Sequence, residues 1–165
     1  MKKAVWSGIA ACLGVLVMSS TVYAQNTGNI NVQVNVNARA KLAIGGTGNI
    51  IFNDADPDVV TTFTSAPVSL DVKARTTAGG AVTLTVQAAG NFTNGSSNIP
   101  LNTLQWTATG TGYQAGSSDS TNPQTVGTWT GSGHQSGSHT YTLPNSWSYA
   151  TGTYHVTLNY TLATP

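Results

Sequence analysis

Apolar residues recur at every second position through most of this chain, with Thr, Asn, Gln or Ser between them. That period puts all the apolar side chains of a segment on one side of an extended backbone, so the pattern reads as strands with one buried face. Ile30, Val32, Val34 and Val36 make the first row. Val68, Leu70, Val72 and Ala74 make a second, and Val82, Leu84, Val86 and Ala88 make a third. The Gly79-Gly80 pair between the second and third rows suits a tight turn, so these two rows are expected to form a hairpin. Leu104, Trp106 and Ala108 follow, then Val126 with Trp129, and Tyr141 with Leu143. The longest row is Tyr154, Val156, Leu158, Tyr160 and Leu162, and Ile50, Ile51 and Phe52 form a short, less regular strand.

Gly- and Ser-rich stretches at 45–49, 90–98, 110–122 and 131–138 separate the rows and are expected to be loops. Glutamate is absent, and Thr, Ser, Asn and Gly stand where Lys and Glu would usually cover a surface. Helix formers are therefore scarce, and no segment after the N-terminal leader has a 3.6-residue period. Seven to nine short strands without βα alternation predict an all-β fold, an antiparallel two-sheet sandwich that is immunoglobulin-like or jelly-roll-like.

The N-terminus reads as a secretory signal peptide over residues 1–24. Lys2 and Lys3 precede an apolar run from Ala4 to Met18, and Val22-Tyr23-Ala24 supplies the small residues of a cleavage site. The run is shorter than the ~20 residues of a membrane anchor and ends in Ser19-Ser20-Thr21. Ile9-Ala10-Ala11-Cys12 resembles a lipoprotein processing box, but too little apolar sequence precedes it. Residues 25–165 are then one secreted domain with no membrane span in the mature form, led by an N-terminal strand over 29–44. The lone cysteine, Cys12, leaves with the leader, so neither a disulfide nor thiol chemistry is expected. Four cations, Arg39, Lys41, Lys73 and Arg75, face five aspartates, and no long-range field directs the domain to nucleic acid or anionic lipid.

Several segments carry candidate sites. Asn29 to Asn37 alternates strictly and, at ~3.3 Å per residue, extends roughly 30 Å. Its Ile30, Val32, Val34 and Val36 suit either the first strand of a closed sandwich or a strand donated to a neighbouring subunit. Asn53, Asp54, Asp56 and Asp58 place oxygen ligands at alternate positions, as a calcium loop does, although the turn glycine and distal glutamate of an EF-hand are absent. A solvated turn explains the same residues, and no other cofactor is indicated. His134, His139 and His155 read as exposed polar residues rather than zinc ligands. Without a Gly-x-Ser-x-Gly elbow, and with Asp71 and Asp119 isolated in sequence, the chain is not expected to be an enzyme. Tyr113 and Trp147 lie in loop-like contexts, where exposed rings could stack on a sugar face.

Gly152-Thr153-Tyr154-His155-Val156 resembles the tyrosine-corner pattern of immunoglobulin-like sandwiches. The stretch from Ile99-Pro100 through Leu104-Gln105-Trp106-Thr107 to Tyr149 and the closing Tyr154–Leu162 row is similar to secreted bacterial surface proteins. These are fimbrial-subunit-like domains and cell-wall-binding domains. The chain departs from both in lacking the cysteine pair of many chaperone-assembled pilins and the Trp-x-Leu tripeptide of the wall-binding group. The resemblance implies architecture and secretion and carries over no binding residue. The expected function is an extracellular or cell-surface structural subunit, assembled into filaments through its N-terminal strand. The alternative is a polysaccharide- or cell-wall-binding module.

Overall fold

In a computed structural model, residues 29–118 and 122–165 are described, and residues 35–165 form one compact unit. The signal-peptide reading of residues 1–24 and Asp119 lie outside the described residues. In chain order the strands are β1 (Arg39–Ile44), β2 (Thr62–Thr64), β3 (Val68–Arg75), β4 (Ala81–Ala88), β5 (Phe92–Asn94) and β6 (Ser97–Ile99). After a 3₁₀ turn at Leu101–Thr103 come β7 (Gln105–Thr109), β8 (Gly116–Ser117), β9 (Gln124–Thr130), β10 (Gly133–Pro144) and β11 (Leu158–Ala163). The fold is all-β and antiparallel. One sheet runs β1-β3-β10-β7-β8, with β2 on the far half of β10, and the second runs β11-β4-β9. The order β1-β3-β10-β7 against β11-β4 is that of strands A-B-E-D and F-C in an immunoglobulin-type sandwich. Among the described residues, no strand lies on the outer edge of β11.

The alternating rows fill the core as their period requires. Leu70 and Val72 from the first sheet meet Val82, Leu84 and Val86 from the second, with Val126, Trp106, Tyr141 and Leu143 completing the layer. Fully burying each such aliphatic side chain contributes roughly 1.5–3 kcal/mol. The Gly79-Gly80 segment is not a hairpin turn, because β3 and β4 belong to different sheets. It is an arch that carries the chain across the core, and the link from β9 to β10 is a second arch beside it, with the Gly131 N–H donating to the Gly80 carbonyl at 2.8 Å. Alternation specifies the buried face of each strand and not its sheet. Gly79 at φ 76° makes the first crossing, in the left-handed region that glycine occupies without strain.

Other expectations also change. Residues 133–138, expected to be loop, form the first half of β10. Small side chains are required there because a Cβ on Gly137 would collide with the Thr109 carbonyl oxygen and the Tyr113 ring. Ile50–Phe52 is not a strand: Ile51 is exposed, while Phe52 packs on Phe63 with ring centroids 6.2 Å apart. The 90–98 stretch contains the β5–β6 hairpin. In the last row, regular pairing begins only at Leu158, and His155 makes an isolated bridge to Thr93. Just before it, the Tyr154 hydroxyl donates to the Ala150 carbonyl at 2.9 Å, the backward bond of a tyrosine corner.

Candidate assembly seam and loop sites

The two lateral sides of the sandwich differ. On one side the chain itself laces the sheets together: the Gln114 N–H donates to the Val126 carbonyl at 2.9 Å, and the Thr128 N–H to the Gly112 carbonyl at 3.0 Å. A few residues later Gly116 and Ser117 pair with Trp106 and Gln105. The 112–117 segment thus leaves β9 and joins β7. Its register is held by Tyr113, whose hydroxyl donates to the Leu70 and Gln135 carbonyls, each at 3.0 Å. Burial pushes that phenol up to about 12, so it stays a donor at any physiological pH.

On the other side β1 and β11 lie near each other without pairing. Among the described residues β1 pairs only with β3, setting Leu42 opposite Val72 and Ile44 opposite Leu70. Its inward row is nevertheless poorly covered, with Leu42 half-buried and Ile44 42% exposed, while Val72 and Leu70 are each 1% exposed. The inward row of β11, Leu158, Tyr160 and Leu162, is likewise only half-buried. Among the described residues, an apolar seam between two strand edges with no ladder partner therefore runs along this side. Unpaired edges present backbone N–H and C=O groups, and they are templates for another strand.

The expected N-terminal strand over 29–44 is a strand only over Arg39–Ile44; residues 29–38 carry no strand assignment. Ile30, Val32, Val34 and Val36 are 89, 84, 77 and 61% exposed. Four β-branched side chains at period two in water are an unsatisfied apolar row.

The 53–58 loop is organised as a turn. The Asp58 N–H donates to Asp56 Oδ1 at 2.9 Å, and Asn145 Nδ2 donates to the Ala55 and Val60 carbonyls, each at 2.9 Å. Asp58 Oδ1 accepts the indole N–H of Trp147 at 3.1 Å. Among the described residues no group of three His, Cys, Asp or Glu side chains is placed to share a metal ion. Trp147 is 70% exposed beside Val59, whereas Tyr113 is buried. Tyr113, expected to be free to stack on a sugar face, is instead spent on closing the sandwich, and Trp147 is the exposed ring of the two.

The sheet register also creates two clusters that the sequence did not reveal. On the outer face of β3 and β10, Asp71 Oδ2 contacts His134 Nε2 at 2.5 Å and accepts from Ser136 Oγ at 3.2 Å. The His134 bond holds the Asp71 carboxyl below its ordinary value. Ser136 Oγ also meets Nε2, at 3.2 Å. A Ser-His-Asp relay needs the acid on one ring nitrogen and the hydroxyl on the other. Here both converge on Nε2, so this is a surface polar cluster without a relay.

Inside the core, His139 is 0% exposed, which corrects the reading of all three histidines as exposed. It lies on the same side of β10 as Tyr141, among the rings of Trp106, Tyr113, Tyr141 and Tyr160. His139 Nδ1 meets the Tyr160 hydroxyl at 3.0 Å, and that hydroxyl bonds the Tyr141 hydroxyl. Burial, only partly offset by the Val126 backbone, lowers the imidazole to about 4, so the ring is neutral at pH 7. Its Nε2 has no well-aligned partner among the described residues. Burial likewise raises Tyr141 to about 12 and Tyr160 further.

No family model matches this chain, and no curated protein is similar to it.

Proposed function

We propose that this protein is an extracellular structural subunit that polymerises by strand donation, the 29–37 segment of one copy filling the β1–β11 seam of the next. The observation that carries this reading is a complementarity: a seam with unpaired edges and a half-covered apolar floor, and an exposed row of Ile30, Val32, Val34 and Val36 with the period of a strand. In an immunoglobulin-type sandwich the place beside strand F belongs to strand G, and β11 stands where F would. A donated strand would take the G position, its backbone pairing with the open edge and its alternate side chains entering the seam. Burying four such side chains contributes on the order of 5–10 kcal/mol before ordering entropy is charged against it.

The test is assembly of the mature chain. Wild type is expected to form multimers that survive SDS and dissolve on heating, and Val32→Asp/Val34→Asp is expected to yield folded monomers. A synthetic peptide of residues 29–37 should bind the monomeric variant and raise its Tm. Wild type remaining monomeric at high concentration would refute the reading.

A second reading, polysaccharide binding, is favoured by one observation: Trp147 is exposed and fixed by Asp58, as a stacking platform must be. Loss of glycan pull-down in Trp147→Ala, with assembly absent in wild type, would favour it.

A further inference from the structure

All four cations among the described residues stand on one face of two adjacent strands. The β1–β3 register sets Arg39 directly opposite Arg75 and Lys41 directly opposite Lys73. Leu42, Leu70 and Val72 point into the core, so by alternation these four side chains share the outer face, and each residue is exposed. Cross-strand partners are ~5 Å apart and successive pairs ~7 Å apart, which makes a two-by-two cationic grid at the edge of the sandwich. Like charges placed directly opposite each other oppose sheet formation. Only Lys73 has an aspartate nearby among the described residues, Asp71 at 3.8 Å, and that carboxylate is shared with His134.

Three of the four aspartates among the described residues are gathered at the opposite end, Asp71 being the exception. Arg39 and Arg75 adjoin the arches, where the Thr76 N–H donates to Ser132 Oγ just before β10. Asp54, Asp56 and Asp58 lie in the loop that Asn145 and Trp147 hold just after β10. β10 is 12 residues long, so the two charge clusters are separated by roughly 40 Å along the strand axis. The acidic loop is pre-organised by its own hydrogen bonds, Val59 next to Asp58 is exposed, and the exposed Trp147 bonds Asp58.

We propose that the Arg39/Lys41/Lys73/Arg75 strip is a docking surface for the acidic loop of a second copy, so that copies stack head to tail. The inference rests on the strand-donation reading for its direction: residues 35–38 enter β1 at Arg39, so a donated segment leaves a copy at the pole that bears the cations. A surface that meets a different surface on its partner is heterologous and generates an open filament. An anionic glycan or lipid headgroup would use the strip but leave the opposite pole without a counterpart; a second copy matches both. Opposite charges at the two poles steer the encounter, and hydrogen-bonded strand donation then locks it.

Assembly of the full mature chain, followed by light scattering and by SDS-resistant multimers, tests this. Raising NaCl from low salt to about 0.5 M should slow wild-type assembly roughly tenfold or more. Arg39→Glu/Arg75→Glu and Asp56→Lys/Asp58→Lys should each be as slow at low salt, and an equimolar mixture of the two should recover the wild-type rate, because each reversed strip then meets a reversed loop. Wild-type multimers whose rate ignores both salt and charge reversal would overturn the inference and leave strand donation standing. If neither wild type nor Val32→Asp/Val34→Asp forms an SDS-resistant species, yet both keep the same salt-sensitive association in sedimentation, donation fails and the docking survives. Wild-type copies that never associate would overturn both, and if they instead bind polyglutamate through the strip, its ligand is a soluble polyanion.

Discussion

Acidification should destabilise this sandwich in a window set by one residue. His139 is buried among four aromatic rings, and its pKa falls from about 6.5 to about 4 because the charged form would lose its hydration there. The unfolded chain binds the proton at its ordinary pKa, so between about 6.5 and 4 the unfolded state holds more protons than the folded state. The linkage slope therefore makes stability rise with pH in that window, and each unit of acidification within it removes up to ~1.4 kcal/mol. Over the whole window the loss is roughly 3 kcal/mol, a large part of the 5–15 kcal/mol that holds a typical domain together. Asp71 acts in a lower window: its carboxyl is held down chiefly by the His134 bond, and stability from that source is lost only as pH falls below 3.8. Urea unfolding followed by tryptophan fluorescence between pH 7 and 4.5 should show the midpoint falling steadily while the m-value stays constant. His139→Phe should be less stable at pH 7, by about 1–3 kcal/mol, because the Tyr160 hydroxyl loses a partner, yet its pH slope in this window should be nearly flat. A wild-type midpoint that does not move above pH 4.5, or a slope that persists in His139→Phe, would refute the assignment.

Other perturbations have equally definite outcomes. Tyr160→Phe removes the hydroxyl that joins His139 to Tyr141 and should cost about 1–3 kcal/mol in denaturant unfolding. Because Tyr113, Tyr141 and Tyr160 are all raised, wild type should also lose stability as pH climbs above 10, and Tyr160→Phe should lose less. Gly137→Ala should destabilise by about 1–3 kcal/mol, since the new methyl displaces the Tyr113 ring that laces the sheets. Adding millimolar calcium should leave Tm where EDTA leaves it, because the 53–58 loop is held by its own hydrogen bonds to Asn145 and Trp147; a calcium-dependent rise would support the metal-loop reading.

Strand positions were legible wherever alternation reported a buried face, as at Val68–Ala74, Val82–Ala88 and Leu104–Ala108. The same period is silent about pairing, which is why Gly79-Gly80 reads as a hairpin turn and is an arch. The start of β10 is hidden for a different reason: Gly137 is kept bare by the Tyr113 ring and the Thr109 carbonyl that cover it, and composition alone mistakes close packing for a loop. His139 was within reach of the pattern, since it stands two residues before Tyr141 on the same face. Asp71 with His134, and the Arg39–Arg75 and Lys41–Lys73 pairs, depend on strand register between residues 32 to 63 positions apart, information that no local window contains. The exposed row of Ile30 to Val36 was fully legible as strand-forming sequence, but the open seam it suits appears only once β1 and β11 are placed.

The most direct measurement is amide hydrogen exchange along β11, compared between assembled wild type and monomeric Val32→Asp/Val34→Asp. Strand donation predicts that the Leu158–Ala163 amides facing the open edge exchange rapidly in the monomer and become strongly protected in the multimer, together with residues 30–36 of the donor. Equal protection in the two states, or protection in the multimer confined to other strands, would contradict it.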